Sequence, residues 1–95
     1  MSTQQSAVDP VVASMRDEIT ALDVRLLSTI NARIDAVETL RRYKAEHGID
    51  FLDPAREAWL VQYVKRVNSG PLSDAGVERL VAFVLDLVKQ ELAGG

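Results

Sequence analysis

Hydrophobic and polar positions along residues 15–44 repeat with a helical period. Steps of four and three residues from Met15 pass through Ile19, Leu22, Leu26, Thr29, Arg33, Val37, Leu40 and Lys44. At ~100° per residue the last of these returns to within about 20° of the first. One face of one long α-helix therefore carries an apolar stripe with two cations, Arg33 and Lys44, set into it. A start signal stands just upstream, where Asp9 can cap and Pro10 suits the first helical position. Ser14, three residues before Asp17, offers a second start of capping-box spacing. Nothing interrupts the period until Gly48, which can take the left-handed conformation that ends a helix. The expected helix, from about Pro10 to His47, is ~55 Å long.

The rest of the chain reads as two shorter helices. Ile49 to Leu52 form a connector, and Asp53-Pro54 repeats the cap-and-proline start. The second helix should turn Leu60, Val61, Val64 and Val67 inward, and Asn68-Ser69-Gly70-Pro71 supplies the turn that ends it. A third begins at Ser73, with Leu72 and Val77 spaced as a hydrophobic staple, and should bury Val77, Leu80, Val81, Val84, Val88 and Leu92. Period-2 alternation is absent, so the fold class is all-α: three helices with a very long first helix. Residues 1–8 are polar and are expected to form a flexible N-terminal tail, leaving residues 9–95 as a single helical domain. Fewer than fifty residues follow the first helix, too few to cover it. Its apolar remainder needs a partner, and the simplest is a second copy of the chain.

Composition narrows the function. A chain of 95 residues is one domain at most, and with 5 % aromatics its core must be aliphatic. Without cysteine there is neither a disulfide framework nor a thiolate metal site. A single histidine, His47, argues against a histidine-based metal site or a Ser-His triad. The net charge of −3 removes the main electrostatic reason to expect nucleic acid as a partner. No apolar run approaches the ~18 residues of a membrane span and no signal-peptide pattern opens the chain, so a cytoplasmic protein is expected.

A cation on a core-facing stripe is costly unless it is paired or faces an anion. Arg33 and Lys44 are ~16 Å apart along the helix axis, with Val37 and Leu40 between them. Either they extend to solvent or to structural carboxylates, or they close from both ends on a small anion. Arg16 falls on a neighbouring face, ~25 Å from Arg33. Within one chain the two cannot share a ligand. If two long helices cross antiparallel in a dimer, Arg16 of one copy can approach Arg33 and Lys44 of the other; otherwise it is a surface residue near the helix start. Arg56 and Glu57 lie on the first turn of the second helix, where backbone N–H groups and the helix dipole favour anions. Arg56 can bind a carboxylate with two hydrogen bonds, and Glu57 either accepts from a hydroxyl or amine or is ordinary dipole-favoured decoration of a helix start. Glycine-rich phosphate loops, GxSxG and HExxH are all absent. Four candidate cations without an acid/base set suit a reaction that needs positioning and charge stabilisation only.

These residues resemble one family. Arg16-Asp17-Glu18-Ile19-Thr20-Ala21-Leu22-Asp23, then Leu26-Leu27, Arg33, Lys44 and Asp53-Pro54-Ala55-Arg56-Glu57 are similar to the pattern of the all-helical chorismate mutases. The resemblance runs from about Val12 to Leu92 and is most specific over the first two helices. It implies an intertwined homodimer whose two equivalent sites are each built by both protomers, and a [3,3] rearrangement of chorismate to prephenate without metal or cofactor. On that analogy Arg16 acts in trans and, with Arg56, binds the two carboxylates of the dianionic substrate, while Arg33 adds to the cluster. Lys44 would hydrogen-bond the ether oxygen. Asp53 would present its backbone N–H, and Glu57 its carboxylate, to the C4 substituent.

Two positions depart from the family pattern. Many relatives carry glutamine or glutamate late in the third helix, where this chain has Val88 and Leu92 flanking Lys89, Gln90 and Glu91. Val88 is thus expected at the substrate, and a register shift would be needed to bring in Gln90. The mutase is then either intrinsically slow or assisted by an aromatic-pathway enzyme that reshapes its C-terminus. Arg41 stands where relatives often have a small residue, either on the surface or near the dimer contact. The same scaffold serves 4-amino-4-deoxychorismate mutases and isochorismate pyruvate lyases. A non-catalytic helical dimer that regulates an aromatic-pathway enzyme is the alternative from another class.

Overall fold

The computed structural model describes residues 9–94; the segment 1–8, expected from its sequence to be a flexible tail, and Gly95 lie outside the described residues. Three α-helices follow one another: α1 (Pro10–Glu46), α2 (Pro54–Val67) and α3 (Asp74–Gly94). The described residues contain no strand, so the all-α expectation with one dominant first helix is met.

Local chemistry sets the boundaries. Asp9 caps α1: its Oδ1 accepts from the backbone N–H of Val11 at 2.7 Å and of Val12 at 3.3 Å, using two of the donors a helix start leaves unpaired. The alternative start at Ser14 is not used, because the Asp9 cap has already begun the helix one turn earlier. At the other end Gly48 has a φ of +66°, and the N–H of Ile49 returns to the Lys44 carbonyl at 2.8 Å, the long hydrogen bond of a glycine-terminated helix.

Two compact units divide the chain, the first ending at Ala32 and the second beginning at Arg33. In the first, α1 buries no side chain. Met15, Ile19, Leu22 and Leu26 are each more than half exposed, so the apolar stripe is uncovered in a single chain. Thr29 fits on that stripe because its hydroxyl donates to the Arg25 carbonyl at 2.9 Å.

In the second unit α2 packs against α3, and the Lys65–Glu78 ion pair links the two helices. Asn68 organises the turn between them. Its backbone N–H donates to the Val64 carbonyl at 3.0 Å and its side-chain amide to the Leu72 carbonyl at 2.7 Å, and its Oδ1 accepts from Gly70 N–H at 3.3 Å. Ser73 Oγ accepts from the N–H of Gly76 at 3.0 Å and so caps α3. A Cβ at Gly76 would stand 2.9 Å from Leu72 Cδ1, so a residue without a side chain lets Leu72 fold over the helix start.

The core centres on Val77 and Val88, 4 % and 2 % exposed. Two expected core residues are outside it: Val67 and Leu80 are 54 % and 48 % exposed. The covered stripe of α3 runs through Val77, Val81, Val84 and Val88 and extends toward Leu85 and Leu92, and Leu80 lies ~60° from Val77 on the opposite side. Val67 is likewise rotated off the covered face of α2, at its last residue. None of the described helices is long and apolar enough to cross a membrane.

Candidate active site

A cavity of about 370 Å³ opens in the second unit, with walls from four segments. The last turns of α1 contribute Arg33, Val37, Leu40 and Lys44, the run at i, i+4, i+7 and i+11 in which the sequence sets two cations into an apolar stripe. The connector adds Phe51 and Leu52, the start of α2 adds Asp53, Arg56 and Glu57, and α3 adds Leu85, Val88 and Lys89. Six of the seven residues singled out from sequence as binding or catalytic thus meet at one cavity. The seventh, Arg16, belongs to the first unit, where its side chain is exposed.

Lys44, Asp53, Arg56, Glu57 and Lys89 are each held by an identifiable contact. The ammonium of Lys44 donates to the backbone carbonyl of Phe51 at 3.3 Å, which anchors the side chain at the cavity and leaves two of its three N–H donors for other acceptors. Asp53 caps α2, its Oδ1 accepting from the Arg56 N–H at 3.0 Å, and its carbonyl accepts from the Glu57 N–H at 3.1 Å. Of the donors at the start of α2, that of Arg56 is therefore taken by the Asp53 side chain. The Arg56 side chain adds a cation at this point. Its guanidinium lies over the Trp59 ring, 4.4 Å from the centroid, and Trp59 in turn stacks on Tyr63 at 4.8 Å. One turn of α2 therefore supplies both the cation and the aromatic surface that supports it.

Glu57 is engaged as well. Its carboxylate pairs with the ammonium of Lys89 at 2.8 Å, bridging α2 and α3 at the cavity wall. Lys89 and Leu85 are missing from the inward face expected from sequence, although their i, i+4 spacing places them together at its edge. Gln90 is outside the cavity, its amide donating to Asp86 at 2.8 Å. Val88 therefore faces the cavity where a polar side chain was the alternative, and α3 contributes one hydrocarbon wall and one cation. Arg41 pairs with Glu38 at 2.8 Å and is absent from the cavity lining.

The assembled site is a small, partly apolar chamber with cations on several sides. Without an acid/base pair near a nucleophile, it can bind an anion in one conformation and stabilise charge that develops on it.

Residues 15–91 match the family model of chorismate mutase type II, and the chain belongs to that family. It is 33 % identical over 73 residues to a bifunctional chorismate mutase/prephenate dehydratase of Stutzerimonas stutzeri, an alignment covering 70 % of this chain and 20 % of that protein. It is 43 % identical over 73 residues to a 4-amino-4-deoxychorismate mutase of Streptomyces venezuelae, covering 77 % of this chain and 65 % of that protein. The chain thus spans about a fifth of the bifunctional relative and just under two thirds of the other. Its fold matches that of a chorismate mutase from Thermus thermophilus, with a TM-score of 0.78 at 23 % identity over 81 % of this chain and 96 % of that one.

Proposed function

We propose that residues 9–95 form a cytoplasmic chorismate mutase domain that converts chorismate to prephenate as a homodimer. The observation that carries the reading is the convergence of Arg33, Lys44 and Arg56 on one cavity walled by Val37, Leu40 and Val88. The dianionic substrate would be held in its compact conformer, with the carbons that are to bond brought together. The C–O bond of the ether then breaks as the new C–C bond forms, in one step that needs neither a proton transfer nor a covalent intermediate. Negative charge gathers on the ether oxygen, and Lys44 is the donor assigned to it. A donor that gains strength only as this charge develops raises kcat and not merely affinity.

Arg56 is assigned to one carboxylate and Arg16 of the partner subunit to the other. The exposed stripe of Met15, Ile19, Leu22 and Leu26 supports the dimer, because a contiguous apolar helix face in water favours association. Arg33 adds charge to the carboxylate cluster, and Asp53 and Glu57 are assigned to the C4 substituent. An aromatic-pathway enzyme that contacts the end of α3 is the proposed activating partner. The first test is to follow purified protein with chorismate for loss of substrate and formation of prephenate. A second reading, rearrangement of 4-amino-4-deoxychorismate, is favoured by the 43 % identity to an enzyme of that name, and the same assay run on that substrate separates the two.

A further inference from the structure

The cavity is unevenly charged. Arg33, Lys44, Arg56 and Lys89 line it as cations against the carboxylates of Asp53 and Glu57, an excess of two positive charges. The carboxylates are not equivalent. Asp53 is committed to its own helix start through the Arg56 N–H, whereas Glu57 reaches across to α3 and pairs with Lys89 at 2.8 Å. Both partners of that pair are one third to two fifths exposed, so the pair sits at the wall of the chamber and is not sealed beneath it.

We infer that Lys89 is a specificity-determining residue which, through its pair with Glu57, makes the site favour a substrate with a neutral hydroxyl at C4 over one with an ammonium there. The inference rests on the chorismate mutase reading and concerns the choice between its two candidate substrates. A carboxylate has about four acceptor positions on its two oxygens. Glu57 can keep Lys89 and still accept a hydrogen bond from a hydroxyl. A dianion with a neutral C4 group also offsets the two excess charges that the chain's own lining residues bring, and leaves the partner's Arg16 unopposed by any cation at C4. An ammonium group at the same place brings a second positive charge to a carboxylate already neutralised by Lys89. The two ammonium groups then stand within about 5 Å of each other, where like charges disfavour one another. Such a substrate also carries only one net negative charge into a cavity with two in excess. Rejection through a misplaced like charge is a common means of discrimination between similar ligands.

The test compares wild type, Lys89→Met and Lys89→Arg on chorismate and on 4-amino-4-deoxychorismate. Lys89→Met keeps most of the aliphatic stem and removes the charge, and Lys89→Gln is a second neutral variant should the first fold poorly. Turnover is measured as kcat/KM, and binding of both acids is followed by the emission of Trp59, the one tryptophan in the chain. The expected result is that wild type favours the hydroxyl substrate, that neutral variants shift the ratio toward the amine at least tenfold, and that Lys89→Arg keeps the wild-type preference. A ratio unchanged within twofold in both neutral variants, or a wild-type preference for the amine, overturns the inference. Absence of turnover on both substrates would overturn the enzyme reading instead, and the binding ratio would then decide the role of Lys89.

Discussion

The ammonium of Lys44, on the last turns of α1, donates to the backbone carbonyl of Phe51 at 3.3 Å, so the connector that follows α1 fixes the position of a cation on α1 itself. This contact accounts for a lysine on a stripe of aliphatic residues: the charge is anchored at one acceptor and faces the cavity with its other donors. It also separates the role of Lys44 in folding from its role in chemistry, since a single hydrogen bond to a partly exposed group contributes about 1 kcal/mol.

Lys44→Ala should therefore lower kcat by a factor of about 10² to 10³, the usual cost of removing a donor to a developing oxyanion, while the thermal midpoint falls by no more than roughly 4 to 8 °C. Steady-state kinetics with chorismate and a thermal melt at the same protein concentration check both halves. Near-normal turnover in this variant would remove Lys44 from the mechanism.

Arg56 rests on Trp59 with its guanidinium 4.4 Å from the ring centroid. A partly exposed contact of this kind is worth roughly 0.5 to 1 kcal/mol, so Trp59→Ala should raise KM about two- to fivefold and leave kcat nearly unchanged. Trp59→Phe should recover part of the loss. In wild type the binding of prephenate should change the Trp59 emission, and Arg56→Ala should abolish that change. An emission that responds equally in both proteins would place the anion elsewhere.

The ends of α1 can be altered without touching the cavity. Asp9→Ala removes the acceptor for two backbone donors and should cost about 1 kcal/mol. Gly48→Ala meets no atom within 4 Å but must adopt a φ of +66°, a strain of about 1 to 2 kcal/mol. For a domain of this size each should lower the thermal midpoint by roughly 4 to 8 °C per kcal/mol, with kcat/KM unchanged below the transition. Midpoints measured at one fixed protein concentration give the comparison.

These same boundaries were legible in the sequence because the chemistry that makes them is local. Asp9-Pro10, Gly48, Asp53-Pro54 and Ser73 each act on backbone groups within four residues, so the residue type carries the information. The i, i+4, i+7, i+11 run from Arg33 to Lys44 was legible for the same reason, since helical spacing alone brings those side chains to one wall. Burial of Val67 and Leu80 was not. Whether such a residue is covered depends on how α2 and α3 rotate against each other, and both lie at the edge of the apolar arc. Lys89 was obscured in the same way: its pairing with Glu57 is a contact between two helices, made by residues more than thirty apart in sequence.

In the proposed enzyme each site is built by two copies of the chain, with Arg16 of one completing the cation set of the other. Subunit complementation is the decisive experiment. Arg16→Ala and Lys44→Ala homodimers should each be nearly inactive, and refolding them together in equal amounts should yield mixed dimers in which one site has both residues intact. With random pairing about a quarter of the wild-type sites are restored, so roughly a quarter of wild-type activity is expected. Full activity of the Arg16→Ala protein on its own, or no recovery in a mixture shown to contain the mixed dimer, would be incompatible with a site shared between subunits.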